Sequence, residues 1–282
     1  MISSSDLRRG ADELVRVCLG VTSRDRVLVL TDAHTRPLAE RIRAAAAELA
    51  PTTVVELPSL DAAYDAAFAQ IVAAVESTRP TVTVFAARDG EDRLAWDDRF
   101  WSLIARFGAR HAQMPALDET ALGIGMAADY GEVARFTDGV RDALTGAHEV
   151  TVRNALGCDI RFVCDPARQW TAFTGIYHAP GDGGRLPQGE VFCSPLTADG
   201  VIAASVIGYP FNASTGLLTE PVLLDIRDGR LTALRHPDPA LADRLRAWFR
   251  RDAGAARIGE LAVGTNRACR ELSGNLLFDE NV

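Results

Sequence analysis

Arg26-Val27-Leu28-Val29-Leu30-Thr31-Asp32, followed by the alanine-rich run from Pro37 to Leu49, is the stretch that decides the fold. A continuous apolar run that ends in polar residues reads as a strand buried on both faces. Pro37 stands in the first turn of the second run, where its missing N–H costs nothing, so that run reads as a helix. Strand, polar loop and helix make one α/β unit, and the unit recurs. Thr53 to Leu57, Val82 to Ala86 and a short run at Ala112 to Met114 read as strands, with Asp61 to Val75 and Trp96 to Phe107 as helices. Ahead of them Leu7, Ala11, Leu14, Val15, Cys18 and Leu19 fall at helical spacing between Ser5 and Gly20. Strands alternating with helices predict a doubly wound, mainly parallel sheet covered on both faces.

The pattern changes after a last helix at Tyr130 to Leu144. Glu149 to Arg153 and Asp159 to Val163 flank Asn154-Ala155-Leu156-Gly157, and Val222 to Ile226 and Leu231 to Leu234 flank Asp228-Gly229; both read as hairpins. Glu190 to Ser194 and Val201 to Ile207 add strands, and Asp238 to Arg251 a helix. The expected organisation is an N-terminal α/β domain over 1–147 and a C-terminal α+β domain with an antiparallel or mixed sheet over 148–282. Ala172 to Gln188, which carries His178, Asp182 and Gly181, Gly183 and Gly184, reads as an irregular loop.

Composition removes several function classes. The chain has 282 residues, 48% apolar and 24% charged, and no apolar run approaches the ~18 residues of a membrane span. All its cationic side chains except histidine are arginine, so a Schiff-base lysine, a Walker lysine and a Ser-Lys dyad are excluded. A net charge of -8 with dispersed arginines argues against nucleic acid as a partner. Cys18, Cys158, Cys164, Cys193 and Cys269 lack C-x-x-C spacing and read as small buried residues. The N-terminus shows no basic segment followed by an apolar stretch, so the expected location is the cytoplasm.

No G-x-G-x-x-G, Walker, G-x-S-x-G or H-E-x-x-H pattern is present. Asp32, His34 and Arg36 follow the first strand, where open parallel sheets bind ligands, although polar groups there also cap the next helix. The stronger candidate is Glu190 in Leu186-Pro187-Gln188-Gly189-Glu190-Val191-Phe192. Pro and Gly fix an irregular approach to a strand mouth, and a carboxylate held there serves as metal ligand, acid/base group or turn anchor. Glu260 in Gly259-Glu260-Leu261-Ala262 repeats the pattern, again after Gly and before an apolar run. Two carboxylates suit hard or borderline divalent ions, and one carboxylate bridges two such ions about 3.5 to 4 Å apart.

Leu14-Val15-Arg16-Val17-Cys18-Leu19-Gly20, Leu156-Gly157-Cys158-Asp159-Ile160, the two glutamate segments and Asn275-Leu276-Leu277-Phe278-Asp279-Glu280 stand in one order along the chain. In that order they resemble the thermophilic metalloaminopeptidases of the aminopeptidase T type. The resemblance implies two divalent ions of the zinc, cobalt or manganese class, with Glu190 and Glu260 as metal ligands. It also implies a homodimer that removes N-terminal residues from peptides. Further ligands, a His, a Tyr and a His-x-Asp, are implied beyond Asp279-Glu280, whereas the sequence stops at Val282. The expectation is thus either a truncated version of a longer enzyme or a natural short relative that has lost or altered the chemistry, with His178 a substitute ligand to test. Relatives that open dihydroxypyridine rings with one ferrous ion give a second reading, and a non-catalytic protein that binds a ligand or partner a third.

Overall fold

A computed structural model describes residues 2–90 and 92–282. It divides into two compact units, the first made of 1–137, 173–190 and 264–282, the second of 138–172 and 191–263. The expectation of an α/β part with a mainly parallel sheet and an α+β part with an antiparallel sheet is met.

The first unit opens with α1 (Ser4–Asp12), set by a capping box in which Ser3 Oγ accepts from Asp6 N and the Asp6 carboxylate accepts from Ser3 N. The predicted single helix does not continue as drawn; it widens into a π-helical turn over Glu13–Cys18. β1 (Val27–Thr31) is buried at every position and is flanked by β2 (Thr52–Glu56) and β3 (Val82–Phe85), both parallel to it. α2 (Arg36–Ala47) and α3 (Leu60–Thr78) make the crossovers. A 3-10 turn at Arg93–Trp96 and α4 (Asp98–Arg106) lead to β4 (Arg110–Gln113), parallel to β3. Two apolar cores lie against this sheet. Leu14, Leu19, Val29 and Ile42 belong to one, and Leu30, Ile71, Phe85, Phe100 and Ile104 to the other. Sheet burial on both faces explains why β1 reads as an apolar run and β3 as one broken only by the buried Thr83.

α5 (Tyr130–Leu144) follows, and then the hairpin of β5 (Glu149–Arg153) and β6 (Asp159–Val163). Asn154 Oδ1 closes its turn by accepting from Leu156 N and Cys158 N at 3.0 and 3.1 Å. β7 (Thr171–Phe173) and β8 (Gly183–Arg185) fall where an irregular loop is predicted. β8 is the fifth strand of the parallel sheet, whose order is β2-β1-β3-β4-β8. Its glycines are there for close approach. A Cβ on Gly183 would lie 2.8 Å from His111 Cβ, and one on Gly184 2.4 Å from Tyr177 Oη.

The second unit holds β9 (Glu190–Cys193), β10 (Thr197–Val206), α6 (Asn212–Thr215), β11 (Leu217–Arg227), β12 (Arg230–Arg235), α7 (Pro239–Phe249) and β13 (Leu261–Gly264). Antiparallel pairing gives the order β12-β11-β10-β6-β5, and β13, β9 and β7 form a three-stranded sheet. Asp228 and Gly229 both have positive φ, 49° and 69°, the geometry of a tight two-residue hairpin. The chain ends through α8 (Leu276–Asp279), which returns to the first unit. Among the described residues no helix is long and apolar enough to cross a membrane.

Candidate functional site

The loop ahead of Glu190 is pinned at almost every backbone group. Gln188 N donates to Tyr130 Oη at 2.8 Å, and Thr265 N donates to Gly189 O at 2.8 Å. Asn266 Nδ2 donates to Gln188 O and to Gly125 O, and the buried Asn281 amide reaches Pro187 O at 3.4 Å. Gly189 has φ 147°, and a Cβ there would lie 2.8 Å from Asn266 N. Only glycine fits that backbone and that space. The loop therefore delivers Glu190 rigidly to the start of β9, half-buried.

Arg185, at the end of β8, lies within the field of Glu190. Its guanidinium pairs with Asp92 through a short contact and with Glu280 at 3.2 Å. Burial pulls the Arg185 pKa down, and the charges of Asp92 and Glu280, with a smaller part from Glu190, more than offset that and hold it above the ordinary value. Two carboxylates thus share one cation, and the charge of a third reaches it. The group is held from behind by a relay that runs back along β4 and across to β3. Gln113 Nε2 donates to Asp92 Oδ1 at 3.3 Å, and Gln113 Oε1 is 2.9 Å from His111 Nε2. His111 Nδ1 lies 2.8 Å from Thr83 Oγ1. With Gln113 Oε1 accepting, His111 is neutral with its proton on Nε2, and Thr83 donates to Nδ1.

Glu260 belongs to the second unit, exposed, immediately ahead of β13. Burial above all, with the charge of Cys164 next and a smaller part from Glu260, pushes the Cys193 thiol up to about 12. Cys193 Sγ is 3.9 Å from Cys164 Sγ, and all five cysteines are buried free thiols.

The other candidates have structural duties. Asp32 Oδ1 accepts from His34 N and Thr35 N at 2.8 Å, and its Oδ2 accepts from Arg88 N at 3.0 Å. Burial acts to raise its pKa, but these hydrogen bonds hold it below the usual carboxylate range. The helix-entry role is the one observed. Arg36 pairs with Glu40 and Glu56. His178 Nε2 lies 2.7 Å from Val17 O, so it donates its proton to a backbone carbonyl and ties the loop to the π-helical turn. Asp89 was not singled out by the sequence. It is buried after β3, with Oδ1 unpartnered and Oδ2 accepting from Leu94 N, and burial raises its pKa.

Among the described residues no three of His, Cys, Asp and Glu converge as a group that could hold a divalent metal. A catalytic ion takes about three protein ligands, so Glu190 and Glu260 alone fall short and no metal-centred step is derived.

The sequence profile of the thermophilic metalloprotease (M29) family matches residues 126–282, more than half of the chain, and the chain belongs to that family. The matched span contains both Glu190 and Glu260. No curated protein sequence matches. Among solved structures, 2,5-dihydroxypyridine dioxygenase from Pseudomonas putida KT2440 is similar with a TM-score of 0.72 and 18% identity, over 99% of this chain and 84% of that one. Wild-type AmpT from Thermus thermophilus is similar with a TM-score of 0.65 and 17% identity, over 98% of this chain and 83% of that one. At these identities the likeness is one of fold.

Proposed function

We propose that this protein is a metal-dependent aminopeptidase, with Glu190 and Glu260 as two of the ligands to a divalent metal site. The observation that carries the reading is the M29 match across both glutamates. The rigid delivery of Glu190 by a loop fixed through Tyr130, Thr265 and Asn266 supports it, because a ligand must be held near its working geometry before the ion arrives. The charge of Glu190 reaches the Arg185 guanidinium, so the loop delivers its carboxylate within the field of a cation.

The test is release of leucine from leucyl-p-nitroanilide after addition of zinc, cobalt or manganese. Metal-dependent turnover supports the proposal; none with any of the three refutes it. The fold likeness to the dioxygenase stands behind a second reading, ring opening with ferrous iron. Oxygen uptake with 2,5-dihydroxypyridine and ferrous iron, without peptide hydrolysis, would select it.

A further inference from the structure

A groove of about 880 Å³ in the first unit is lined by Arg9, Arg135, Arg267 and Arg270 together with the exposed ring of Phe136. Elsewhere the arginines of this acidic chain are mostly spent on carboxylates, as Arg8 and Arg16 are on Asp12 and Glu48. Among the described residues the guanidinium groups of these four make no hydrogen bond or ion pair. The guanidinium of Arg267 instead lies over Phe136, 5.5 Å from the ring centroid. Asp129 and Glu132 also line the groove, so two positive charges remain uncompensated. Asp129 is already engaged as a cap, accepting from Glu132 N at 3.0 Å.

Guanidinium groups match carboxylates with two parallel hydrogen bonds, and clustered arginines are a recurring means of reading acidic motifs. Four of them along one open groove suit several carboxylates spaced on a chain better than a single small anion. The volume falls within the ~300–1,000 Å³ usual for ligand clefts. The groove is also continuous with the loop that carries Glu190. Its lining residues Val133 and Asn266 are the ones a Cβ on Gly189 would strike, at 3.1 and 2.8 Å, and Thr265 N bonds Gly189 O.

We propose that this groove holds an acidic stretch of the peptide substrate, a specificity that rests on the peptidase reading above. The test is fluorescence anisotropy of the full chain in EDTA with a C-terminally labelled Leu-Gly-Glu-Glu-Glu-Glu peptide, against the same peptide with serine in place of glutamate. The acidic peptide binds selectively, and sodium chloride weakens it. The double variant Arg135→Gln with Arg267→Gln binds it about tenfold more weakly or worse, since each charged hydrogen bond lost is worth that order. Glu132→Gln binds it more tightly, an opposite sign that misfolding cannot produce. Equal affinity for the two peptides, an unchanged double variant, or displacement by oligothymidylate at lower concentration than by the acidic peptide overturns the proposal. Leucyl-p-nitroanilide hydrolysis separates the failures. Turnover without acidic selectivity refutes the groove alone, and acidic selectivity without turnover refutes the peptidase reading and with it the substrate role.

Discussion

Lowering the pH loads a proton onto a side chain that is fully enclosed. His111 on β4 has no exposed surface, and the rings of Phe100 and Trp101 stand edge-on to it with centroids at 5.0 and 5.4 Å. Burial drives its pKa down to about 4, against the pull of its hydrogen bond to the Gln113 side chain and of the Thr83 backbone. In the unfolded chain the ring titrates near the ordinary 6.5. The folded state is therefore at full strength above 6.5 and loses stability as the pH falls from there to about 4. At about 1.4 kcal/mol per pH unit the loss from this ring is about 3 kcal/mol. Urea unfolding followed by circular dichroism across that window, in the wild type and in His111→Gln, isolates the effect from the carboxylates that also titrate. The variant starts less stable, because Thr83 and Gln113 are poorly served, and its stability falls by about 3 kcal/mol less over the window. Equal pH dependence in the two proteins, or a His111 ring resonance titrating near 6.5, would refute the reasoning.

Gly183→Ala is expected to cost about 1 to 3 kcal/mol, because its Cβ meets His111 Cβ and O at 2.8 and 2.9 Å. Gly139→Ala, in the exposed face of α5 with nothing within 4 Å, is expected to add about 0.5 to 1 kcal/mol, and urea titration checks both. Arg185→Met removes the cation that Asp92 and Glu280 share and is expected to cost about 1 to 3 kcal/mol. Ellman's reagent should find no reactive thiol in the folded protein and all five after unfolding.

Much of the fold was legible because it rests on period. The apolar runs of β1 and β3 and the 3.6-residue pattern of α5 are statements about burial, and burial is what the structure shows for them. The Asp228-Gly229 hairpin was legible because left-handed backbone is a local property of those residue types. β8 was not, since Gly183 and Gly184 carry the signal of a turn, and their real reason is contact with His111 and Tyr177, distant in sequence. The π-helical turn at Glu13–Cys18 leaves no mark because the apolar pattern runs on through it. Glu190 could be singled out from its local pattern of Pro, Gly and apolar run. Its neighbours Arg185, Asp92 and Glu280 could not be placed together. Asp92 and Glu280 stand 93 and 95 residues from Arg185, and ordinary charged side chains carry no sequence signal of such pairing. The arginine groove escaped for the same reason, being gathered from the α1, α5 and Thr265 to Arg270 segments by the fold alone.

The most direct measurement is the metal content of the purified protein after equilibration with zinc, cobalt or manganese and gel filtration, in wild type, Glu190→Gln and Glu260→Gln. Loss of a group that only hydrogen-bonds a metal ligand costs about 10–100-fold in metal affinity, so loss of a ligand itself should cost at least that. The account predicts retained divalent metal in the wild type and its loss in each variant. A wild type that retains none, or variants that retain as much as the wild type, would contradict it.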